Sequence, residues 1–427
     1  MKVAIAGYGI EGEVNYAYWH ELGHDVTIVD EAAKPAKRIP SDATVLLGEN
    51  VFQKLHDYDL VVRTASLPPN AIVTDGTIWS STNEFFMKCP APIIGVTGTK
   101  GKGTTSSLIA GILREAGRTV HLVGNIGTPA LAVLPNIAAD DIVVFEMSSF
   151  QLWDLRASPH VAVVLMIEPD HLDIHADFDE YIRAKSNIRR HQKAEDVCFY
   201  HPSNRWSEKI AESSVLGDSI RYDARDAGGV YTEQGMFRVQ GDDICPTDVL
   251  RLPGAHNLEN ACAAISAARV FTVDNAAIQR GLHNFTGLPH RLKFVREVSG
   301  VKYYDDSIAT TPGSAIAALQ SFDEPKIIIL GGSDKGVNYE SIIKTCKTRH
   351  ARVVAIGKTG SHIAVLCRKF DVEVLELDGS MRDIVASCHK MAQQGDVVLL
   401  SPASASFDMF KNYADRGDQF VAAVKAL

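Results

Sequence analysis

The segment at residues 93–113 constrains the fold of this chain more than any other. It reads Ile-Ile-Gly-Val-Thr, then Gly-Thr-Lys-Gly-Lys-Gly-Thr-Thr (residues 98–105), then an apolar segment with a helical pattern. This order of a β-branched run, a glycine-rich turn and a helix is typical of a phosphate-binding loop between a strand and a helix. The chain must therefore contain an α/β unit, and we expect a nucleotide at its loop.

The residue types of this loop suit a phosphate group. Its glycines allow a tight turn that directs backbone N–H groups at an anion, and the N-terminus of the following helix adds partial positive charge. Lys102 can reach the β- and γ-phosphates, and a hydroxyl close after it can bind Mg²⁺. The usual pattern has this hydroxyl directly after the lysine, whereas here Gly103 follows and Thr104 is the nearest hydroxyl. A glycine-rich turn with a solvated lysine is the structural alternative.

The N-terminal residues contain a second α/β pattern. A short strand at residues 2–6 runs into Gly-Tyr-Gly-Ile-Glu-Gly (residues 7–12), followed by a helical pattern and a second strand that ends at Asp30. This order is typical of a Rossmann-like unit and, taken alone, of a dinucleotide site. The same turn can hold any diphosphate, including a nucleotide sugar. We favour the nucleotide sugar, because a redox dinucleotide would leave the second phosphate loop without a purpose.

Polar residues follow the predicted central strands. Glu146 comes directly after the strand at 142–145, and His171 and His175 follow the strand at 161–167. Carboxylates and imidazoles at strand ends near a phosphate loop are candidate ligands of a metal or a water molecule. A surface loop is the alternative for each histidine. For Lys185, on the next predicted helix, the spacing alone favours a solvated side chain.

The second half of the chain predicts an appendage and a further domain. Residues 196–250 suggest a small antiparallel appendage, and an alanine-rich helix follows to residue 270. Asn257 and Asn260 can present two amides on one face of this helix, and a helix N-cap is the alternative for Asn257. From residue 288, strands alternate with helices in a doubly wound pattern whose polar strand ends should face one cleft.

We therefore predict an α/β fold with three domains. Residues 1–89 form a Rossmann-like domain, 90–287 a central ATP-binding domain with a phosphate loop and a mostly parallel sheet, and 288–427 a second Rossmann-like domain.

Composition limits the class of protein. The 427 residues are 46% hydrophobic and 22% charged, which is typical of a soluble globular protein. The net charge of −9 argues against a nucleic-acid partner, and the seven cysteines, without a C-x-x-C pair, argue against a disulfide framework or structural zinc. No apolar run approaches the ~20 residues of a membrane span. We expect a cytoplasmic protein with neither a nucleic-acid nor a membrane partner, and a monomer.

Over essentially its whole length, the chain resembles the Mur ligase superfamily, the ATP-dependent amino-acid ligases of peptidoglycan synthesis. The resemblance rests on motifs at residues 98–102, 124–127, 146–152, 170–173, 256–260, 288–291 and 401–413. The stretches at 146–152 and 401–413 resemble the D-glutamate-adding branch. The resemblance implies an enzyme that uses ATP and Mg²⁺ to join D-glutamate to UDP-N-acetylmuramoyl-L-alanine through an acyl phosphate.

The resemblance also implies roles for individual residues. The implied catalytic residues are Lys102, Glu146, His171 and Lys185, and the last matches a lysine that is carbamylated in this family. The implied metal ligands are Thr104, Glu146, His171 and carbamylated Lys185. The implied ATP-binding residues are Gly98, Thr99, Lys100, Gly101, Lys102, Gly103, Thr104, Asn257, Asn260, Arg291 and Asp306. The UDP-substrate would contact Gly7, Gly9, Ile10, Glu11, Asn125 and His171. The amino acid would contact Thr310, Lys335, Ser406, Phe407 and Tyr413.

Two departures from the family pattern leave alternatives open. Ile308 stands where the family has a lysine, so a related ligase for L-glutamate, another amino acid or another UDP-linked acceptor is an alternative. Gly103 gives a loop similar to that of folylpolyglutamate synthases, although those enzymes begin at the ATP-binding domain. A non-catalytic nucleotide-binding protein is the remaining class. The presence of all the implied catalytic residues argues against it.

Overall fold

The structure is a computed structural model that describes residues 1–125, 128–334 and 336–427. The chain divides into two compact units, one of Met1–Leu250 with Asn257–Phe285 and the other of Arg251–His256 with Thr286–Leu427. Each unit is built from helices and mostly parallel sheets, so the predicted α/β class is confirmed. The first two predicted domains lie in the first unit, except for residues 251–256 and 286–287, which belong to the second.

A parallel sheet with the first five strands of the Rossmann order begins the chain. Its elements are β1 Lys2–Ala6, α1 Ile10–Glu21, β2 Asp25–Asp30, β3 Thr44–Leu47, β4 Leu60–Arg63, β5 Thr77–Ser80 and α2 Ser81–Lys88. The strands pair in the order β3-β2-β1-β4-β5. Gly7 follows β1 with a φ of 93°, and a Cβ there would lie 2.4 Å from the Thr64 hydroxyl oxygen. Glycine is therefore required where β1 turns towards α1.

The central sheet is also parallel and carries the predicted phosphate loop. Its elements are β6 Ile93–Thr97, α3 Lys102–Glu115, β7 Val120–Gly124, α4 Ala130–Val133, β8 Ile142–Glu146, α5 Ser149–Leu152, β9 Val161–Val164, α6 Phe178–Arg190, β10 Val197–Tyr200, α7 Arg205–Ala211 and β11 Asp218–Arg221. The order is β11-β10-β9-β6-β8-β7. The prediction that β10 and β11 belong to an antiparallel appendage is wrong, because both extend the parallel sheet and α7 supplies the crossover that parallel pairing needs.

The antiparallel part is smaller than predicted. It comprises β12 Tyr231–Glu233, β13 Met236–Val239 and β14 Asp242–Pro246, and the helices α8 Ala255–Ala268 and α9 Asn275–Asn284 follow it. Its turns are Gln-Gly pairs at 234–235 and 240–241 with positive φ at both residues, the geometry that two-residue hairpin turns require. Because α8 begins at Ala255, Asn257 lies inside the helix and the N-cap alternative is wrong.

The second unit contains the last sheet. Its elements are β15 Lys293–Val298, β16 Val301–Asp305, α10 Pro312–Gln320, β17 Lys326–Gly331, α11 Glu340–Thr348, β18 Ala351–Ile356, α12 Gly360–Lys369, β19 Val374–Glu376, α13 Met381–Met391, β20 Val397–Leu400 and α14 Tyr413–Lys425. The order is β15-β16-β20-β17-β18-β19, and the β15–β16 pair is antiparallel whereas the other pairs of this sheet among the described strands are parallel. Apolar clusters cover both faces, for example Ile328 and Val353 on one and Ile327 and Val354 on the other. In the described part of the chain, no helix is long and apolar enough to cross a membrane.

Candidate active site

The phosphate loop has the predicted position between β6 and α3. Gly101 is the N-cap of α3 with a φ of 84°, and a Cβ there would lie 2.4 Å from Oδ1 of Asn260. A Cβ on Gly98 would lie 2.7 Å from the Cβ of Leu165. The loop therefore packs closely against α8 and the segment after β9, and glycine is needed at both positions. Gly103 and Thr104 are buried in the first turn of α3, while Lys100 is exposed and pairs with Glu168 at 3.3 Å.

Two lysine amines meet at the loop. Nζ of Lys102 donates to the carbonyl oxygens of Gly98 and Thr99, both at 3.0 Å. Nζ of Lys185 donates to the same Gly98 carbonyl and to the Thr97 hydroxyl, both at 3.1 Å. The solvated alternative for Lys185 is wrong, since its side chain is fully buried. Burial, and then the nearby Lys102 charge, hold the pKa of the Lys185 amine well below its usual value.

Helix α6 positions Lys185 and a tyrosine that the sequence did not single out. Asp177 caps the helix by accepting from the Glu180 N–H at 2.7 Å. Tyr181 lies one turn before Lys185, whose Nζ is 4.7 Å from the tyrosine ring centroid. The Tyr181 hydroxyl is 3.0 Å from Oγ1 of Thr99 in the loop. The i, i+4 spacing of Tyr181 and Lys185 on one helix face is the signal that identifies this pair.

Glu146 is a buried carboxylate at the end of β8. Its Oε1 accepts from Nδ2 of Asn125 at 3.0 Å, and the Asn125 N–H donates to the Glu146 carbonyl at 3.0 Å. Its Oε2 is buried without a hydrogen-bond partner among the described residues. A hard carboxylate oxygen of this kind suits Mg²⁺, which commonly takes one or two carboxylates and completes its shell with waters and substrate phosphates.

The two histidines after β9 have different environments. His171 is exposed, with a φ of 54°, and its ring centroid is 4.9 Å from that of Phe150. His175 is buried, stacks on Phe150 at 5.4 Å and places Nε2 3.0 Å from the Ser149 hydroxyl. The surface-loop alternative thus fails for His175. Across residues 1–125, 128–334 and 336–427, no group of three or more His, Cys, Asp or Glu side chains is placed to hold a metal ion.

The two asparagines of α8 lie against the phosphate loop. Nδ2 of Asn260 donates to Oδ1 of Asn257 at 3.3 Å, and the Thr105 hydroxyl donates to Oδ1 of Asn260 at 3.4 Å. Both asparagines are buried. The structure therefore brings these predicted nucleotide-binding amides to the start of α3.

A cavity of about 370 Å³ lies between the first sheet and the central sheet. We call it the acceptor cavity, and its lining comprises Ile10, Glu11, Val14, Asn15, Ala65, Ser66, Ser81, Thr82, Gly124, Asn125, Pro129, Ala130, Leu131, Phe145, Ser148, Phe150 and Gln151. Three of the predicted substrate residues, Ile10, Glu11 and Asn125, line it, whereas Gly7 and Gly9 lie in the turn before α1. The cavity combines hydroxyl and amide groups with apolar walls.

Two carboxylates near the N-terminus, Glu11 of α1 and Asp30 of β2, accept hydrogen bonds from groups of the protein itself. Glu11, the one charged side chain among the described residues of the acceptor cavity, accepts from the Ala65 N–H at 2.7 Å and from the Ser81 hydroxyl. Asp30 accepts from the Tyr8 N–H at 2.7 Å and from the Ala32 N–H at 2.8 Å. In a dinucleotide site the second carboxylate would bind the ribose, so its use by the backbone argues further against that alternative.

The second unit brings the predicted strand-end loops together. The Ser401 hydroxyl donates to Oδ2 of Asp306 at 2.6 Å, and the Ser333 N–H donates to the Ala405 carbonyl at 2.8 Å. Burial raises the pKa of Asp306 to about 7. Arg416, which the sequence did not single out, is fully buried and bonds the Ser307 and Ser404 regions.

The remaining predicted residues of this unit differ in exposure. Arg291 and Phe407 are exposed, Thr310 is half-buried, Ser406 is buried, and Tyr413 begins α14 with 42% of its side chain exposed. Lys335, and Ile126 and Gly127 of the motif at 124–127, lie outside the described residues.

Two protein-family models match the chain. The "Mur ligase middle domain" matches residues 96–268, and the "Mur ligase, glutamate ligase domain" matches residues 290–404. The first match contains the phosphate loop, Glu146, Lys185 and the α8 asparagines. The second contains Asp306 and the loops beside it.

Curated relatives match over the full length. The UDP-N-acetylmuramoylalanine–D-glutamate ligase of Clostridium botulinum (strain 657 / Type Ba4) is 33% identical over 448 residues, which cover 100% of this chain and 97% of that protein. A protein of the same name from Acetivibrio thermocellus is 36% identical over 452 residues, with 100% and 96% covered.

Solved structures share the fold. The UDP-N-acetylmuramate-alanine ligase MurC of Thermotoga maritima has a TM-score of 0.62 at 16% identity and covers 100% of this chain and 99% of that one. The MurF ligase of Thermotoga maritima in complex with ADP has a TM-score of 0.61 at 18% identity, with 99% and 94% covered. At such identities the likeness concerns the fold alone.

Proposed function

Because the chain belongs to the Mur ligase family, we propose that it is the ATP-dependent ligase that adds D-glutamate to UDP-N-acetylmuramoyl-L-alanine in peptidoglycan precursor synthesis. The observation that carries the proposal is the set of charged groups around the phosphate loop. Nζ of Lys102 and Nζ of Lys185 share the Gly98 carbonyl, and the neighbouring strand ends in Glu146 with one unpartnered buried oxygen. Such a set suits phosphoryl transfer.

The acceptor cavity supports an acceptor that is uncharged where it meets the cavity walls. Lysine and arginine are absent from its described lining, whereas serine, threonine and asparagine side chains alternate with Val14, Leu131 and Phe145. A sugar with amide and lactyl groups matches this mixture of hydrogen-bonding and apolar walls. Asn125 joins the two sites, because it lines the cavity and donates to Glu146.

The proposed reaction has two steps. A carboxylate oxygen of the acceptor's alanine attacks the γ-phosphorus of ATP, and the bond to the β-phosphate oxygen breaks, which gives an acyl phosphate and ADP. The amine of D-glutamate then attacks the acyl carbon, loses a proton and expels inorganic phosphate. In the first step the N–H groups of the loop and Lys102 bind the phosphate oxygens and stabilise their charge.

Magnesium would be held at Glu146, with His171 and Thr104 as further proposed ligands. When bound, it would neutralise charge on the phosphate oxygens.

We also propose that Lys185 is carbamylated. Burial lowers the pKa of the Lys185 amine and so favours its neutral form, which is the form that reacts with CO₂. Mass spectrometry of the intact protein, with and without added bicarbonate, tests the modification.

The remaining assignments follow the family pattern. We propose residues 1–89, 90–287 and 288–427 as the UDP-binding, ATP-binding and amino-acid-binding domains. Asn257, Asn260, Arg291 and Asp306 would bind ATP. Thr310, Lys335, Ser406, Phe407 and Tyr413 would bind D-glutamate, and Lys335 would supply a cation for a dicarboxylate. The protein would act as a monomer in the cytoplasm.

A related ligase with another amino acid is the second candidate. Ile308, which replaces the family's lysine, is half-buried and its N–H donates to the His290 carbonyl at 3.0 Å. An apolar side chain here removes one cation from the second unit and favours a less acidic substrate.

Phosphate release tests both candidates. Purified protein is incubated with ATP, Mg²⁺ and UDP-N-acetylmuramoyl-L-alanine, and D-glutamate is compared with L-glutamate and a panel of other amino acids. We expect release with D-glutamate. Release only with another amino acid would support the second candidate, and no release with any of them would refute both for this acceptor.

A further inference from the structure

A buried arginine lies behind the acceptor cavity without lining it. Arg63 is the last residue of β4, and its side chain is fully buried. Nε donates to Oδ2 of Asp154 at 3.0 Å, and Nη2 donates to the other oxygen of the same carboxylate. The pair therefore has the bidentate geometry that fixes both partners in orientation as well as distance.

The same guanidinium binds backbone on two walls of the cavity. Nη1 donates to the carbonyls of Ala65 at 3.3 Å and Leu67 at 3.2 Å, in the loop after β4. Nη2 donates to the carbonyl of Phe150 at 3.0 Å, in α5. Ala65 and Phe150 both line the acceptor cavity, on segments that are far apart in sequence. One planar group thus sets the spacing of two walls.

Phe150, whose carbonyl Arg63 binds, also contacts the two histidines that follow β9. Phe150 lines the acceptor cavity, and its ring lies 4.9 Å from the His171 ring and stacks on His175. The Ala65 N–H, next to the loop carbonyls that Arg63 binds, donates to Glu11 of α1. Displacement of Arg63 would therefore move groups on both sides of the cavity.

A contribution to folding stability is not enough to explain why the chain has the Arg63–Asp154 ion pair. Apolar replacement of both partners of such a pair is often neutral or stabilising, whereas removal of one partner is costly. We infer that Arg63, held by Asp154, is a positioning residue that fixes the two walls of the acceptor cavity and so sets the affinity for the acceptor. This inference rests on the proposed function for the identity of the acceptor.

The first test needs no substrate. The exchange rates of backbone amide hydrogens are compared in the ligand-free wild-type protein and in Arg63→Lys. This variant keeps the positive charge but cannot make the bidentate hydrogen bonds to Asp154. We expect faster exchange at residues 64–67 and 148–152 and unchanged exchange at 98–102 in the phosphate loop, which Arg63 does not contact. If Arg63→Lys exchanges at the wild-type rate at residues 64–67 and 148–152, the inference is overturned.

The second test separates acceptor binding from nucleotide binding. With ATP, Mg²⁺, UDP-N-acetylmuramoyl-L-alanine and D-glutamate, Arg63→Lys should raise KM for the acceptor about tenfold or more, because lost hydrogen bonds to a charged donor change equilibria by about that factor. KM for ATP should stay within about twofold of wild type. The matched control is Arg280→Lys, which breaks a half-exposed fork with Glu115 in the same unit and should change neither constant.

A double variant tests the alternative that Arg63 contributes only to the stability of the fold. Arg63→Met with Asp154→Leu removes both charges and should fold, yet it should show the same rise in the acceptor KM. An unchanged acceptor KM in either variant would overturn the inference. Absence of phosphate release in the wild-type protein would instead refute the proposed function, and hydrogen exchange would then decide the role of Arg63.

Discussion

Replacement of Gly101 by alanine tests how the phosphate loop is built. Gly101 is the N-cap of α3 with a φ of 84°, a conformation that costs a residue with a Cβ about 1–2 kcal/mol. The new Cβ would also lie 2.4 Å from Oδ1 of Asn260, so that side chain must move. Asn260 then loses the hydrogen bonds to Thr105 and Asn257, each worth about 0.5–1.5 kcal/mol.

Gly117→Ala supplies the matched control. Gly117 lies just beyond the C-terminus of the same helix with a φ of 79°, and a Cβ there would meet nothing within 4 Å. Both variants share the strain of a positive φ and the loss of backbone freedom in the unfolded chain. The difference between them isolates the contact with Asn260, for which we expect about 1–3 kcal/mol.

Thermal unfolding and nucleotide binding measure the two consequences. Gly101→Ala should unfold about 2–12 °C below Gly117→Ala, at roughly 2–4 °C per kcal/mol for domains of this size. It should also bind ATP at least about tenfold more weakly, because the N–H groups of the loop are displaced from the phosphate position. Equal unfolding temperatures and equal ATP affinities for the two variants would refute the close packing of Gly101 on Asn260.

Three further results are expected. Lys102→Ala should abolish ATP turnover but leave UDP-acceptor binding near normal by calorimetry, and loss of both would contradict separate sites for the two substrates. The pKa of Asp306 is raised from 3.8 to about 7 in the folded state, so protonated Asp306 contributes stability that is complete below about pH 4 and is lost as the pH rises to about 7. Asp306→Asn should therefore flatten the fall in the free energy of unfolding by urea over this pH range. Asp323→Asn, at a fully exposed site, should leave that fall unchanged. Burial raises the pKa of every cysteine thiol, and Cys89 alone is partly exposed, so Cys89→Ser should remove the fastest thiol reaction with a disulfide reagent.

The sequence predicted the parts of the fold that depend on local pattern. The phosphate loop was recognisable because the glycines, the β-branched strand before them and the helix after them occupy adjacent positions. The parallel sheets followed from alternating strand and helix patterns. The parallel pairing of β10 with β9 was not predicted, because pairing partners distant in sequence leave no mark on the strand itself.

The environment of individual side chains was harder to predict. Spacing favoured a solvated Lys185, yet the structure buries it against the loop, and only the resemblance to the family suggested a functional role for it. Arg63 and Arg416 were not singled out, because a lone arginine near a strand end or helix start is usually a surface residue. Their burial depends on carbonyl groups and carboxylates from segments far away in sequence.

The buried polar groups at the strand ends make the first unit sensitive to its ligands. A buried carboxylate oxygen without a partner costs about 1–3 kcal/mol, and Oε2 of Glu146 is such an atom among the described residues. The Lys185 amine adds the cost of burying a long polar side chain. A ligand that binds the folded state alone stabilises it in proportion to RT ln(1 + [L]/Kd). The fold therefore holds these groups in place at the expense of its own stability, and we expect binding of the proposed nucleotide and magnesium to offset part of that cost.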